Sequence, residues 1–169
     1  RGCYMKKGHG GVVIGSEISG GYKNLYVENC EMDSPNLDRV IRIKTSNCRG
    51  GIIENVFVRN IKVGVCREAV LRINLQYENR EICDRSFPPT VRNVLCENIT
   101  CEGSELGIYY VGLEGSDNVY NIQVDNCEFN NVKKGTSDPM GGIYIKGGVK
   151  DVRFINLKIN GQTVKSPTL

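Results

Sequence analysis

A ten-residue pattern recurs five times in this chain. Residues 23–32 read K-N-L-Y-V-E-N-C-E-M, residues 54–63 read E-N-V-F-V-R-N-I-K-V, and residues 92–101 read R-N-V-L-C-E-N-I-T-C. Residues 120–129 read Y-N-I-Q-V-D-N-C-E-F and residues 150–159 read K-D-V-R-F-I-N-L-K-I. The second Asn of the pattern falls at Asn29, Asn60, Asn98, Asn126 and Asn156, at spacings of 31, 38, 28 and 30. A period near 30 restricts the chain to stacked-repeat architectures, in which each unit buries its apolar face against its neighbours.

Within each copy, apolar and polar residues alternate on both sides of the Asn. That is the period of a strand and not the roughly 3.6-residue period of a helix. The inward slots hold Val58, Ile61 and Val63, then Val27, Cys30 and Met32, then Cys96, Ile99 and Cys101, then Val124, Cys127 and Phe129, then Phe154, Leu157 and Ile159. A second short strand precedes each copy, at residues 12–14, 40–43, 70–75, 108–113 and 143–145. With Gly-rich corners at Gly20-Gly21, Gly50-Gly51 and Gly147-Gly148, the pattern predicts an all-β, right-handed parallel β-helix of about five coils. One such domain, residues 1–169, accounts for the chain. Neighbouring coils should stack about 4.8 Å apart.

The Asn column has a physical reason on this fold. A buried side-chain amide can donate to one neighbouring coil and accept from the other, replacing backbone hydrogen bonds lost at the bend. Asn98-Ile99-Thr100 is a glycosylation sequon, but its Asn stands in that column and is read as structural.

Eight Cys could signal a disulfide framework. Cys30, Cys96, Cys101 and Cys127 instead occupy core slots and read as small apolar residues. Cys30 and Cys127 share a column, but three coils put them roughly 14 Å apart, too far to bond. Cys3, Cys48, Cys66 and Cys83 lie in or near turns, where a bridge stays open. No Cys pair has the spacing of a zinc or redox site. A net charge of +3 does not imply a nucleic-acid partner, and no apolar run is long enough to span a membrane.

The chemistry is expected on the outer face of one strand column. With Ile41 and Ile43 inward, Arg42 and Lys44 project together, about 7 Å apart along the strand. The chain's single His, His9, sits between Gly8 and Gly10 one coil earlier. Tyr77 follows the corresponding strand one coil later. Four side chains able to bind an anion or move a proton are thus expected along one groove. The long segments 78–90 and 130–141 interrupt the repeat, and excursions of this kind often serve function; Lys133 and Lys134 lie in the second.

Gly8-His9-Gly10 with Val13-Ile14-Gly15-Ser16, then Arg42-Ile43-Lys44, then Ile73-Asn74-Leu75-Gln76-Tyr77 resembles the C-terminal half of glycoside hydrolase family 28, the polygalacturonase family. The resemblance covers essentially the whole chain and implies a parallel β-helix. It implies inverting hydrolysis of pectin-type polymers of galacturonic acid. It also implies that His9 lies beside the catalytic carboxyls and helps hold the acid's protonation state. Arg42 and Lys44 would bind the uronate carboxylate, and Tyr77 would line the same subsite. A guanidinium fork and an ammonium suit a carboxylate, which a neutral sugar lacks. No cofactor or metal is implied.

The family's Asn-Thr-Asp and Asp-Asp motifs, which supply the general acid and the base, are absent. Inverting hydrolysis requires two carboxyls about 6.5 to 9.5 Å apart. Glu17, Asp33 and Asp38 are acidic residues near the groove but match neither motif. The chain starts at Arg1 and reads as an N-terminally truncated piece, expected to be inactive alone and to self-associate through an exposed coil edge. The partner implied is an acidic polysaccharide, the location secreted or periplasmic. A lyase on the same fold would need a calcium-binding carboxylate cluster, which is not visible here. A non-catalytic glycan-binding β-helix stays open, although the lack of Trp weakens any stacking platform.

Overall fold

The computed structural model describes residues 1–77, 82–134 and 141–169. These residues contain fourteen strands. They are β1 (Tyr4–Met5), β2 (Val12–Ile14), β3 (Tyr22–Met32), β4 (Arg39–Lys44), β5 (Ile52–Val65), β6 (Ala69–Asn74) and β7 (Thr90–Gly103). They continue as β8 (Leu106–Val111), β9 (Val119–Asp125), β10 (Glu128–Phe129), β11 (Ile143–Lys146), β12 (Val152–Ile155), β13 (Leu157–Ile159) and β14 (Gln162–Val164). The chain is a right-handed parallel β-helix. One sheet runs β11-β8-β6-β4-β2 and the larger contains the five repeats. All pairings are parallel except the β13–β14 hairpin.

The repeat sets the register. Val27 pairs with Val58, Cys30 with Ile61 and Met32 with Val63, and the next coil continues with Cys96, Ile99 and Cys101. Every inward slot of the five copies is buried. Each fully buried Ile, Val or Leu contributes about 2 kcal/mol from apolar area removed from water. The core is a column along the solenoid axis, and the groove residues project from the opposite side of the β2-β4-β6 strands.

The Asn column differs from the expectation in one respect: its side chains are exposed, not buried. Asn29, Asn60, Asn98, Asn126 and Asn156 all have φ between 47° and 56°, the left-handed region that Asn tolerates better than most residues. These residues bend the long strands around the core, so their amides fall on the convex, solvent side. The inter-coil bonds form there: Asn60 Nδ2 donates to Asn29 Oδ1 at 3.0 Å, Asn98 to Asn60 at 3.2 Å, and Asn156 to Asn126 at 2.8 Å. The first Asn of the repeat builds a second ladder, with Asn55 donating to Asn24, Asn93 to Asn55 and Asn121 to Asn93.

Cys30, Cys96, Cys101 and Cys127 are buried and free, as is Cys66, while Cys3 is free and exposed. Burial pushes the Cys127 thiol up to about 12, so it behaves as an apolar filler. Cys48 and Cys83 form a disulfide. It ties segment 82–89 to the turn after β4, where Phe87 N donates to Asn47 O and Gly50 N to Phe87 O. Of the two expected long segments, residues 78–81 and 135–140 lie outside the described residues. Lys134 lies within them and pairs with Glu105 at 3.2 Å.

Candidate functional site

Strand β4 displays the two groove cations. Its neighbours fix its register, with Val13 beside Arg42 on one side and Arg72 on the other. Gly15 packs so closely under the strand end that an added Cβ would lie 1.8 Å from the Lys44 carbonyl oxygen, and its φ is +98°. Only glycine fits there. Across the next coil, Tyr77 N donates to Thr45 O at 3.1 Å, which brings the Tyr77 ring over the end of β4. Lys44 Nζ lies 4.6 Å and the Arg42 guanidinium carbon 5.5 Å from that ring's centre.

Arg42, Lys44 and Tyr77 therefore form one cluster. His9 has its hydrogen bond elsewhere, just before β4, although Gly10 beside it packs against Arg42, where an added Cβ would lie 3.5 Å from the Arg42 Cβ. The His9 Nδ1 lies 2.9 Å from Asp38 Oδ2.

Arg42 is 7% exposed. Among the described residues it has no ion-pair partner, and its Nε is buried without a hydrogen bond. Burial, followed by repulsion from Arg39, pulls its guanidinium below the usual arginine range. The surrounding cations are differently placed. Arg39 bonds to Asp38 at 3.2 Å and pairs with Glu68, and Arg72 pairs with Glu68 at 3.3 Å. Arg67 pairs with Asp38. Asp38 and Glu68 are thus shared among these three arginines, and among the described residues neither forms an ion pair with Arg42 or Lys44; a further carboxylate, Glu17, feels the charge of Lys44. The Arg42–Lys44 pair, presented on a rigid strand, is suited to a carboxylate ligand.

Asp38 is 5% exposed at its side chain. Burial alone would raise its carboxyl, but the hydrogen bond from His9 and the charges of Arg67 and Arg39 outweigh burial and hold it below the ordinary range. The carboxyl of Glu17 is also held low, chiefly by its hydrogen bond from Ser16 at 2.9 Å. Asp33 lies away from the groove, accepting from Val65 N at 3.1 Å on the larger sheet. Glu17 and Asp38 are thus shifted in the direction opposite to that of a general acid, and Asp33 is misplaced.

Beyond Arg42 the outer column continues as Arg72, Tyr109 and Tyr144. The Arg72 guanidinium lies 4.1 Å from the Tyr109 ring centre, and Tyr109 stacks on Tyr144 at 5.0 Å. Sequence reading named neither the Asp38–His9 bond nor the Arg39–Glu68–Arg72 network. The signal for the former was present: His9 and Asp38 are separated by 29 residues, the same offset that pairs Val13 with Arg42.

Comparison with known proteins agrees with this fold. The model of the glycosyl hydrolases family 28 matches residues 1–110. A polygalacturonase of Ralstonia nicotianae is 27% identical, over 92% of this chain and 32% of its own length. The crystal structure of a hyperthermoactive exopolygalacturonase from Thermotoga maritima superposes with a TM-score of 0.79 at 27% identity, covering 98% of this chain and 36% of that one. The chain spans about a third of the length of either relative. With the motifs, the parallel β-helix and the match over residues 1–110 in agreement, the chain belongs to glycosyl hydrolases family 28.

Proposed function

We propose that this chain forms the substrate-binding side of a polygalacturonase-like hydrolase acting by inversion on pectin-type polymers of galacturonic acid. Arg42 and Lys44 hold the carboxylate of a uronic acid unit near the scissile bond, and Tyr77 lines the same subsite. His9 stands beside the reacting carboxyls and keeps the acid protonated. The observation that carries this reading is Arg42, a buried guanidinium left without a carboxylate among the described residues. A buried cation of this kind is costly unless a ligand pairs with it.

The general acid and base are proposed to come from residues outside this sequence. Inversion needs one protonated and one ionised carboxyl about 6.5 to 9.5 Å apart, and the groove carboxylates Asp38 and Glu68 are already engaged by arginines. The 169-residue chain alone should therefore release no reducing ends from polygalacturonate, yet bind oligogalacturonate through Arg42 and Lys44. Reducing-end release by the purified chain would overturn the first part, and unchanged binding by Arg42→Ala the second. A polymer substrate and the Cys48–Cys83 disulfide both favour work outside the cytoplasm, where such bridges persist. Strands β1 and β2 each pair on one side only and offer edges for self-association, which light scattering would detect.

A further inference from the structure

His9 is embedded in a more specific arrangement than its 85% side-chain exposure suggests. Its backbone is clamped to the next coil on both sides: Gly8 N donates to Asn36 O at 3.2 Å, Asp38 N to Gly8 O at 3.0 Å, and Gly11 N to Arg39 O at 2.9 Å. Its ring meets Asp38, which is nearly buried and held from two further directions by Arg39 and Arg67. Asp38 also immediately precedes β4, so one short segment carries both the His9 partner and the Arg42–Lys44 clamp.

We propose that Asp38 is a positioning residue for His9, fixing its neutral imidazole in the Nδ1–H tautomer and leaving Nε2 as a hydrogen-bond acceptor at the groove. An ionised carboxylate has no proton to donate, so the hydrogen of the 2.9 Å contact must lie on Nδ1. The two arginines on Asp38 favour its ionised form. In water the opposite tautomer of histidine, Nε2–H, predominates, and the hydrogen bond at one ring nitrogen decides which form is present. With Nδ1 committed, Nε2 can only accept while the ring is neutral. An acceptor there stabilises the protonated form of a neighbouring carboxylic acid, since only that form can donate to it. The consequence for catalysis rests on the hydrolase reading above; the tautomer does not.

The test needs no substrate. His9 is the chain's one histidine, so a long-range proton–nitrogen correlation spectrum of uniformly labelled protein, taken where the ring is neutral, contains a single imidazole. Wild-type protein should show the pattern of Nδ1–H with an unprotonated Nε2. Asp38→Ala should revert to predominantly Nε2–H, while Arg67→Gln, which keeps the acceptor, should retain Nδ1–H. A wild-type Nε2–H pattern, or an unchanged pattern in folded Asp38→Ala, would overturn the proposal. If Asp38→Ala loses its dispersed amide spectrum, the wild-type tautomer and Arg67→Gln still decide. Failure of the wild-type chain to bind oligogalacturonate, with the Nδ1–H tautomer present, would count against the hydrolase reading alone.

Discussion

Lys44 Nζ stands 4.6 Å from the centre of the Tyr77 ring, although Lys44 ends one strand and Tyr77 follows the strand of the next coil. The contact exists because the solenoid returns the chain to the same place every coil, where Tyr77 N bonds to Thr45 O. An ammonium over a ring face contributes about 0.5 to 1 kcal/mol at a partly exposed site. Tyr77→Leu should therefore cost little stability but free the Lys44 side chain. Binding of oligogalacturonate should weaken several-fold without a change in melting temperature beyond about 4 °C, measured by titration and thermal unfolding of the same samples.

Arg42 should show opposite signs for stability and binding. Its guanidinium is buried with Nε unsatisfied, so replacing it with an apolar side chain of similar length removes a desolvation cost. Arg42→Met should raise stability by about 1 kcal/mol while weakening oligogalacturonate binding by roughly 2 kcal/mol, about thirty-fold. Denaturant unfolding and calorimetric titration report the two quantities separately.

The exposed Asn ladder makes a prediction about backbone conformation. Asn60 has φ 56° and bonds to both Asn29 and Asn98. Asn60→Ala should cost about 2 to 3 kcal/mol, combining left-handed strain with the lost bonds. Asn60→Gly relieves the strain and should recover at least 1 kcal/mol of that loss. Equal destabilisation by both substitutions would mean that the side-chain bonds alone matter.

Asp38 gives stability a pH dependence of known sign. Its folded carboxyl lies below the ordinary value of 3.8, so the unfolded chain binds the proton more readily. The contribution is complete above that ordinary value and is lost as pH falls through the lower folded one. Asp38→Asn should therefore destabilise the protein at neutral pH and flatten the acid limb below about pH 4. Urea unfolding at a series of pH values reads both effects.

The Cys48–Cys83 bridge closes a loop of sequence separation 35. Loop-closure entropy assigns it roughly 3 to 4 kcal/mol. Unfolding midpoints of Cys48→Ser with and without reductant should coincide, whereas the wild type should lose stability on reduction.

The fold was legible because its cause is periodic. Ile61 and Leu157 sit in equivalent core slots that the spacing of their Asn neighbours identifies, and strand alternation settles which side chains are inward. Arg42 and Lys44 were legible for the same reason, as even-numbered neighbours of inward Ile41 and Ile43. The ionic network was not. Arg39, Asp38 and Glu68 meet through side-chain conformations in a region where strand, turn and the next coil join, and alternation does not fix side-chain direction there. The exposure of the Asn column was also hidden, since an amide ladder reads the same from sequence on either side of a bend. His9 was found as a motif residue, but its partner required the coil-to-coil register of 29 residues.

The claim on which the functional reading turns is that Arg42 and Lys44 recognise a negatively charged carboxylate. Titrating the chain with trigalacturonate and with its fully methyl-esterified form, while following amide shifts of residues 39–45 and 77, tests it most directly. A carboxylate clamp requires the acid to bind at least ten-fold more tightly than the ester, with the preference lost in Arg42→Met. Equal binding of acid and ester, or an undiminished preference in Arg42→Met, would contradict it.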